Sequence, residues 1–319
     1  MKKTGITFLV SVMTLLLAYS TFAADTTTKT YTQQAPPYIA YWLGYPDDIT
    51  GYQDIGDIPS YVNVVPLAFA LVRENGKIDM TFLEKNLIKN GKTQAEAKAE
   101  IMAEMKKLRN KNPKVKILIS VGGWAGNCWQ LIKNKKDSAA LAKNISKIVD
   151  DWGFDGVDLD FEGDRKLCTQ WPLCKGCKPG KDTTNTVKGY IIQDLRKDLG
   201  DKLITVVTTE DSSYIKDNFK LINWVTTMDY DSGIKTFNKL CKTFEKIDPQ
   251  AEFCPVGFGV ENNAGGYGYR SVKEIIKFIN NNNIPTKGSL SIMLWNLSQV
   301  PPANIKAIYD AVKTKTSTQ

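Results

Sequence analysis

The chain has 319 residues, of which 42% are hydrophobic and 24% charged, a composition typical of one large globular domain or two small ones. It contains no histidine, which excludes a Ser-His-Asp triad, a Cys-His dyad and histidine-ligated zinc, so acid-base catalysis must come from carboxylates, tyrosine or lysine. The net charge of +8 is spread over many lysines without a long basic run, so we expect no nucleic-acid partner. No pattern in the chain implies a cofactor or a metal.

The first residues indicate a targeting segment that is not part of the fold. Two lysines after the first residue precede an apolar run over residues 6–18, and Thr21-Phe22-Ala23 offers a small-x-small cleavage site. This pattern predicts a secretory signal peptide over residues 1–23. An uncleaved anchor is the alternative, although the run is short for a spanning helix. We therefore expect a secreted or periplasmic protein without stable membrane insertion.

Six cysteines in an exported chain suggest disulfide bonds, and six allow fifteen pairings that the sequence cannot separate. Cys168, Cys174 and Cys177 crowd one segment, so at least one bridge is expected there, and Cys241 with Cys254 is a plausible second pair. The Cys174-x-x-Cys177 spacing is alternatively half of a zinc site or a redox pair. The missing histidines and the lack of a second Cys-x-x-Cys disfavour that alternative.

After a flexible lead-in predicted over residues 24–37, short β-rich runs alternate with amphipathic stretches in which residues such as Ile101, Met105 and Leu108 share a helical face. Alternating strands and helices imply parallel βα units, and eight units suit an α/β fold of the (β/α)8 TIM-barrel type, here one domain over residues 38–315. A doubly wound open sheet is the alternative, but no glycine-rich nucleotide fingerprint follows the first strand. The predicted strands span residues 38–42, 62–70, 115–121, 156–161, 203–208, 221–228, 253–259 and 290–295.

The most informative stretch is the acidic run over residues 154–163. Asp158, Asp160 and Glu162 alternate with apolar residues, so in a strand the three acids line one face while the apolar side chains pack behind it. Like charges at this spacing cannot all stay ionised in a sheltered site, so at least one pKa should rise. A carboxylic acid that keeps its proton near neutral pH is suited to general acid catalysis. The alternative is a solvated acidic edge strand or a cation-binding loop.

The run from Asp155 to Glu162, Asp-x-x-Asp-x-Asp-x-Glu after a predicted strand, resembles the signature of the family 18 glycoside hydrolases, the chitinases and their relatives. Residues 114–124 are similar to the family's third strand, which ends in Ser-x-Gly-Gly, and residues 291–295 are similar to its eighth. The resemblance extends from Tyr38 to Val312. It implies a chitinase-type hydrolase whose partners are chitin or N-acetylglucosamine oligosaccharides.

The resemblance also implies roles for the acids. Glu162 would be the general acid and base, and the substrate's own 2-acetamido oxygen would attack the anomeric carbon in place of a protein nucleophile. Asp160 would accept the acetamido N–H, and Asp158 would share a proton with Asp160. Asp155, earlier on the strand, would be structural.

In the family, a tyrosine and a carboxylate from the sixth strand also bind the acetamido group of the substrate. Asp229, Tyr230 and Asp231 resemble its Met-x-Tyr-Asp motif, but two registers are possible. One pairs Tyr230 with Asp231, and the other uses Asp229 with Met228. All three remain candidate substrate-binding residues.

Aromatic residues supply the remaining candidates for substrate binding. Trp295, at the end of the eighth strand, resembles the tryptophan that forms the floor of the family's sugar site, although an ordinary core tryptophan is the alternative. Tyr41, at the end of the first strand, is expected near Asp158 or the substrate. Trp124, Trp129 and Trp171 either extend the sugar groove or pack within loops.

Two features modify the expectation. Gly163 stands where many chitinases have tyrosine or tryptophan, and the segment 164–186 forms an elaborate loop beside the acid. The link between the seventh and eighth strands is too short for the small α+β domain that many chitinases insert there. By analogy, a shallow groove and cleavage within chains are expected. An endo-β-N-acetylglucosaminidase acting on N-glycans and a non-catalytic sugar-binding lectin are the competing functions.

Overall fold

The computed structural model describes residues 38–44, 49–123, 129–162, 183–208, 212–228, 242–243, 246, 256–260, 270–281 and 291–317. Within them, eight parallel strand positions form a closed ring. The ring closes where Ile39 pairs with Val64 and where Trp42 pairs with Leu67. This closure confirms the (β/α)8 barrel and excludes the doubly wound open sheet. The predicted signal peptide, the lead-in and all six cysteines lie outside the described residues, so the predictions about them stay predictions.

The barrel strands are rich in valine, isoleucine and leucine because both faces of a parallel barrel strand are covered. A short antiparallel strand, β4, pairs with β3 outside the ring. In chain order the strands are β1 (Tyr38–Ala40), β2 (Trp42–Leu43), β3 (Val64–Val72), β4 (Ile78–Asp79), β5 (Lys116–Gly122), β6 (Gly156–Asp160), β7 (Leu203–Thr208), β8 (Trp224–Met228), β9 (Val256–Gly259) and β10 (Ile292–Trp295).

Several strand boundaries differ from the predictions by one to three residues, and three of the differences have a clear structural cause. The first strand is split at Tyr41, whose backbone bonds to the β10 side while the residues after it pair with β3. β3 runs on to Val72 because its end pairs with β4. β8 starts later than predicted, because a 3-10 turn over Phe219–Leu221 precedes it.

The helices surround the barrel, and their predicted apolar faces are buried. Thr93 and Glu96 form a reciprocal capping box that starts the long helix α2, and Ile101, Met105 and Leu108 all point into the core. No helix of the described residues is long and apolar enough to cross a bilayer. The helices are α1 (Lys85–Lys89), α2 (Gln94–Lys111), α3 (Lys135–Trp152), α4 (Asn185–Leu199), α5 (Ser213–Asn218), α6 (Val272–Asn281) and α7 (Pro302–Ser317).

Candidate active site

Asp158 lies in the middle of β6 with its side chain inside the barrel. The cross-strand neighbours Ser120 and Thr205 flank it on β5 and β7. Their hydroxyls donate to its carboxylate at 2.7 Å and 2.5 Å. The Tyr41 hydroxyl donates a third hydrogen bond at 2.7 Å from a strand that is not a neighbour of β6. Contact with a distant strand requires that Asp158 point inward, as the alternation of the acidic run predicts.

Asp160 is the last residue of β6 and is only 3% exposed. It hydrogen-bonds to Glu162, which is partly buried just beyond the strand end. Its Oδ1 is buried and has no hydrogen-bond partner within the described part of the chain. A buried oxygen of this kind carries a desolvation penalty that a ligand N–H can relieve. Val157 and Leu159 are fully buried behind the acids, as predicted.

The pKa values of both buried aspartates are raised. Burial is the main cause for Asp158, and the hydrogen bonds from Thr205, Tyr41 and Ser120 offset it in part. For Asp160, burial comes first, followed by the negative charges of Glu162 and Asp158, and the pKa lies well above its ordinary value. The Asp160 carboxyl therefore keeps its proton to a higher pH than an ordinary aspartate, because burial and the neighbouring acids both disfavour its ionised form.

The Ser-x-Gly-Gly ending of β5 allows the backbone to approach β6 closely. Gly122 has φ +110°, and a Cβ there would lie 2.2 Å from the Asp160 carbonyl oxygen. Gly123 has φ +74°, and a Cβ there would lie 2.4 Å from the Phe69 ring. The Gly123 N–H donates to the same Asp160 carbonyl at 3.1 Å. Glycine is therefore required at both positions by conformation and by space.

Trp295 lies at the end of β10 and is partly buried. Its ring stacks on Phe69 at 5.5 Å between centroids and 19° between planes, and it meets Tyr41 at 5.5 Å. Tyr41 therefore contacts both Asp158 and Trp295. An aromatic ring held in place in this way is suited to stacking against a sugar face.

Several candidate residues lie outside the described part of the chain, and one described candidate is buried in a turn. Trp124, Asp229, Tyr230 and Asp231 lie outside the described residues, so their roles and the register of the sixth strand stay predictions. Trp129 is only 1% exposed, so it packs within its loop and does not line a sugar groove.

Sequence reasoning missed one contributor to the site. Thr205 was not singled out, although a polar residue in the apolar β7 at the level of Asp158 was the available signal. The proton sharing predicted between Asp158 and Asp160 stays a prediction: Asp160 hydrogen-bonds Glu162 and is also influenced by the charge of Asp158, while Asp158 accepts from three hydroxyls. Asp155 binds the backbone N–H of Ile117 and the Arg109 guanidinium, both at 2.9 Å, which fits a structural residue. The residues with described positions offer no group of three or more metal ligands.

Acid-base catalysis by carboxyl groups at the C-terminal end of a (β/α)8 barrel strand is one arrangement that glycoside hydrolases use. The profile of the glycosyl hydrolases family 18 matches residues 34–254, more than half of the chain. The chain belongs to this family.

Known proteins similar to this chain carry chitinase names. It is 34% identical over 116 residues to Exochitinase 1 of Streptomyces olivaceoviridis, a match covering 36% of this chain and 18% of that protein. It is 32% identical over 143 residues to Chitinase C of Streptomyces lividans, covering 40% and 21%. The matches therefore span about a fifth of these two relatives. The crystal structure of a GH18 chitinase from Pseudoalteromonas aurantia shares the fold with a TM-score of 0.60 and 22% identity, covering 86% of this chain and 99% of that one.

Proposed function

We propose that this protein hydrolyses β-1,4-linked N-acetylglucosamine polymers, the chemistry of a chitinase. The observation that carries the proposal is the hydrogen-bonded pair of Asp160 and Glu162 at the end of β6, with one Asp160 oxygen buried and unpartnered among the described residues. Family membership and the names of the similar proteins support the substrate class.

In the proposed mechanism, Glu162 gives its proton to the glycosidic oxygen, because that oxygen is a poor leaving group until it is protonated. The acetamido carbonyl oxygen of the bound sugar attacks the anomeric carbon while the bond to the protonated glycosidic oxygen breaks, and the leaving sugar departs with a new hydroxyl. The product is an oxazolinium-type intermediate, so no protein nucleophile is needed. Glu162, now ionised, removes a proton from water, and the water opens the ring with retention of configuration. The proton that the water loses restores the acid form of Glu162.

Asp160 turns from Glu162 towards the substrate and accepts the acetamido N–H, which orients the attacking oxygen and stabilises the developing positive charge. Its buried Oδ1 would gain a donor in the process. Asp158 is held in place by three hydroxyls, so it provides a fixed negative neighbour for Asp160 while Asp160 turns. Trp295 supplies the floor on which the sugar ring lies.

The test compares the purified protein with Glu162→Gln on chitin oligosaccharides, with an N-glycoprotein assayed alongside. The substitution preserves shape but removes the transferable proton, so binding should persist while turnover falls by about 10³-fold. Glu104→Gln is the matched control. Glu104 lies on α2, accepts a hydrogen bond from the Gly56 N–H and is far from β6 along the chain, so this variant should retain full activity.

Each outcome assigns a function. If the wild type cuts chitin oligosaccharides internally and the variant does not, the result supports both the proposed hydrolysis and endo action. If the wild type releases sugars from chain ends instead, the hydrolysis is supported and endo action is refuted. Trimming of the glycoprotein alone identifies an endo-β-N-acetylglucosaminidase. Sugar binding without cleavage of either substrate identifies a lectin.

We also propose export, since the start of the chain has the features of a signal peptide. Expression of the whole chain in a secreting host should yield a product that begins at Ala24. Terminal sequencing of the exported protein checks this, and retention of the first residues would refute it.

A further inference from the structure

Trp129 is the first residue of a short 3-10 turn, Trp129–Leu131, and is almost fully buried at 1% exposure. Its indole N–H donates a 2.9 Å hydrogen bond to the backbone carbonyl of Asp160. Its ring lies 4.5 Å from the ring of Phe161, tilted by 48°. Trp129 therefore holds both sides of the peptide that joins Asp160 to Phe161.

This peptide lies where regular strand pairing ends. Asp160 is the last β6 residue paired with β5 and β7, so Glu162, two residues on, lies beyond the barrel ladder. The Asp160 carbonyl accepts from Trp129 and from the Gly123 N–H at 3.1 Å, which anchors the chain immediately before Glu162. These two hydrogen bonds therefore hold the chain just before Glu162, at the point where strand pairing has ended.

Phe161 is enclosed on its other side as well. Tyr214 meets its ring edge-on at 5.3 Å, and the Lys188 ammonium lies 5.5 Å from the ring centroid. Lys188 is only 4% exposed, so the charge is held against the rings in a sheltered place. Phe161 is therefore packed between Trp129 on one side and Tyr214 with Lys188 on the other.

We propose that Trp129 is a positioning residue, whose indole N–H and ring fix the Asp160–Phe161 peptide so that Glu162 stays within hydrogen-bond reach of Asp160. The inference rests on the proposed function for its catalytic consequence. Its structural consequence, the retention of the carboxyl pair, can be measured without any substrate.

Trp129→Phe removes the N–H donor and keeps an aromatic ring beside Phe161. The matched control is Trp152→Phe, because Trp152 is also buried and stacks on Phe154 just before β6 begins, far from the acids. Both variants lose the same atoms from a buried ring, and Trp129→Phe also loses the hydrogen bond to the Asp160 carbonyl, so it should lose somewhat more thermal stability than Trp152→Phe. Only Trp129→Phe should lower kcat on a chromogenic chitobioside, by about ten-fold, with KM within about two-fold, because small misplacement of a proton donor slows chemistry more than binding.

The pH profile gives a readout that a purely structural role would not move. A hydrogen bond between two carboxyls stabilises the singly protonated pair and separates its two titration steps. If Trp129→Phe weakens the hydrogen bond between Asp160 and Glu162, the two titration steps of this pair should move closer together by about one pH unit. This shift corresponds roughly to the free energy of one hydrogen bond. The described titratable groups around the pair are Asp158, Tyr41, Lys188 and Tyr214, and the substitution leaves all four in place.

Carbon-13 NMR titration of the Asp160 and Glu162 carboxyls, assigned with Asp160→Asn and Glu162→Gln, measures the same separation without substrate. An unchanged separation and an unchanged kcat in Trp129→Phe overturn the inference. If the wild type cuts no chitin oligosaccharide, the proposed function fails, and the titration alone decides about Trp129. If Trp129→Phe does not fold, Phe161→Leu removes the ring contact instead, and the inference stands only if that variant shows the narrowed separation.

Discussion

Replacement of Asp160 by asparagine should stabilise the fold at alkaline pH while it removes the proposed activity. Asp160 is 3% exposed, one of its oxygens has no partner among the described residues, and its neighbours Glu162 and Asp158 are acidic. Burial and these charges raise its pKa well above the ordinary value. Asparagine has nearly the same shape as aspartate and cannot ionise. The difference in stability between the variant and the wild type therefore measures the free-energy cost of an ionised carboxylate at position 160 in the folded protein.

The direction of the pKa shift of Asp160 decides whether the substitution raises or lowers the stability of the fold. An acid whose pKa is raised by folding stabilises the protein fully below its unfolded pKa, near 3.8, and this contribution is lost as the pH rises through the raised value. An unsatisfied buried polar group costs about 1–3 kcal/mol, and more when charged. At about 2–4 °C per kcal/mol, the melting temperature of Asp160→Asn should exceed that of the wild type by about 3–8 °C at pH 8, and the two should agree near pH 4.

Differential scanning fluorimetry from pH 4 to pH 9 measures this difference. Asp155→Asn is the matched control, because Asp155 precedes the same strand but is ion-paired to Arg109 at 2.9 Å, and it should lower the melting temperature at pH 8. A lower melting temperature for Asp160→Asn at pH 8, or a difference that does not change with pH, would refute the reasoning. It would mean that the folded site stabilises the ionised carboxylate.

Three further substitutions test other parts of the site. Gly122→Ala places a Cβ against the Asp160 carbonyl at φ +110° and should lower the free energy of unfolding by about 2–4 kcal/mol, measured by urea denaturation; an unchanged midpoint would show that the strand end can shift. Thr205→Val removes the 2.5 Å hydrogen bond to Asp158, so the Asp158 pKa should rise further and stability at pH 7 should fall by about 1–3 kcal/mol, which carboxyl NMR titration and denaturation follow together. Trp295→Ala should raise KM for chitin oligosaccharides about ten-fold through lost stacking, and an unchanged KM would leave Trp295 as a core residue.

The architecture could be predicted because its signals are local. Alternating acids and apolar residues on β6 determine which side chains face inward, and the observed burial of Val157 and Leu159 confirms that pattern. Strand ends were less predictable, because they depend on partners elsewhere in the chain. β3 is extended by its pairing with β4, and Tyr41 interrupts the first strand by bonding towards β10.

The sequence by itself determined the order of strands and helices, the place of the acids at the end of β6 and the family to which they point. Only the tertiary structure decided which groups surround those acids. Tyr41 bonds to Asp158 across 117 residues of chain, Thr205 across 47, and Trp129 reaches the Asp160 carbonyl across 31. Such contacts arise when the barrel closes and sets neighbouring strands in register. The sequence indicated only that Tyr41 lies near Asp158 or the substrate, and it did not identify the bonded atoms. Burial inside the closed barrel raises the pKa values of both aspartates, and the hydroxyls of Thr205 and Tyr41 offset that rise in part at Asp158.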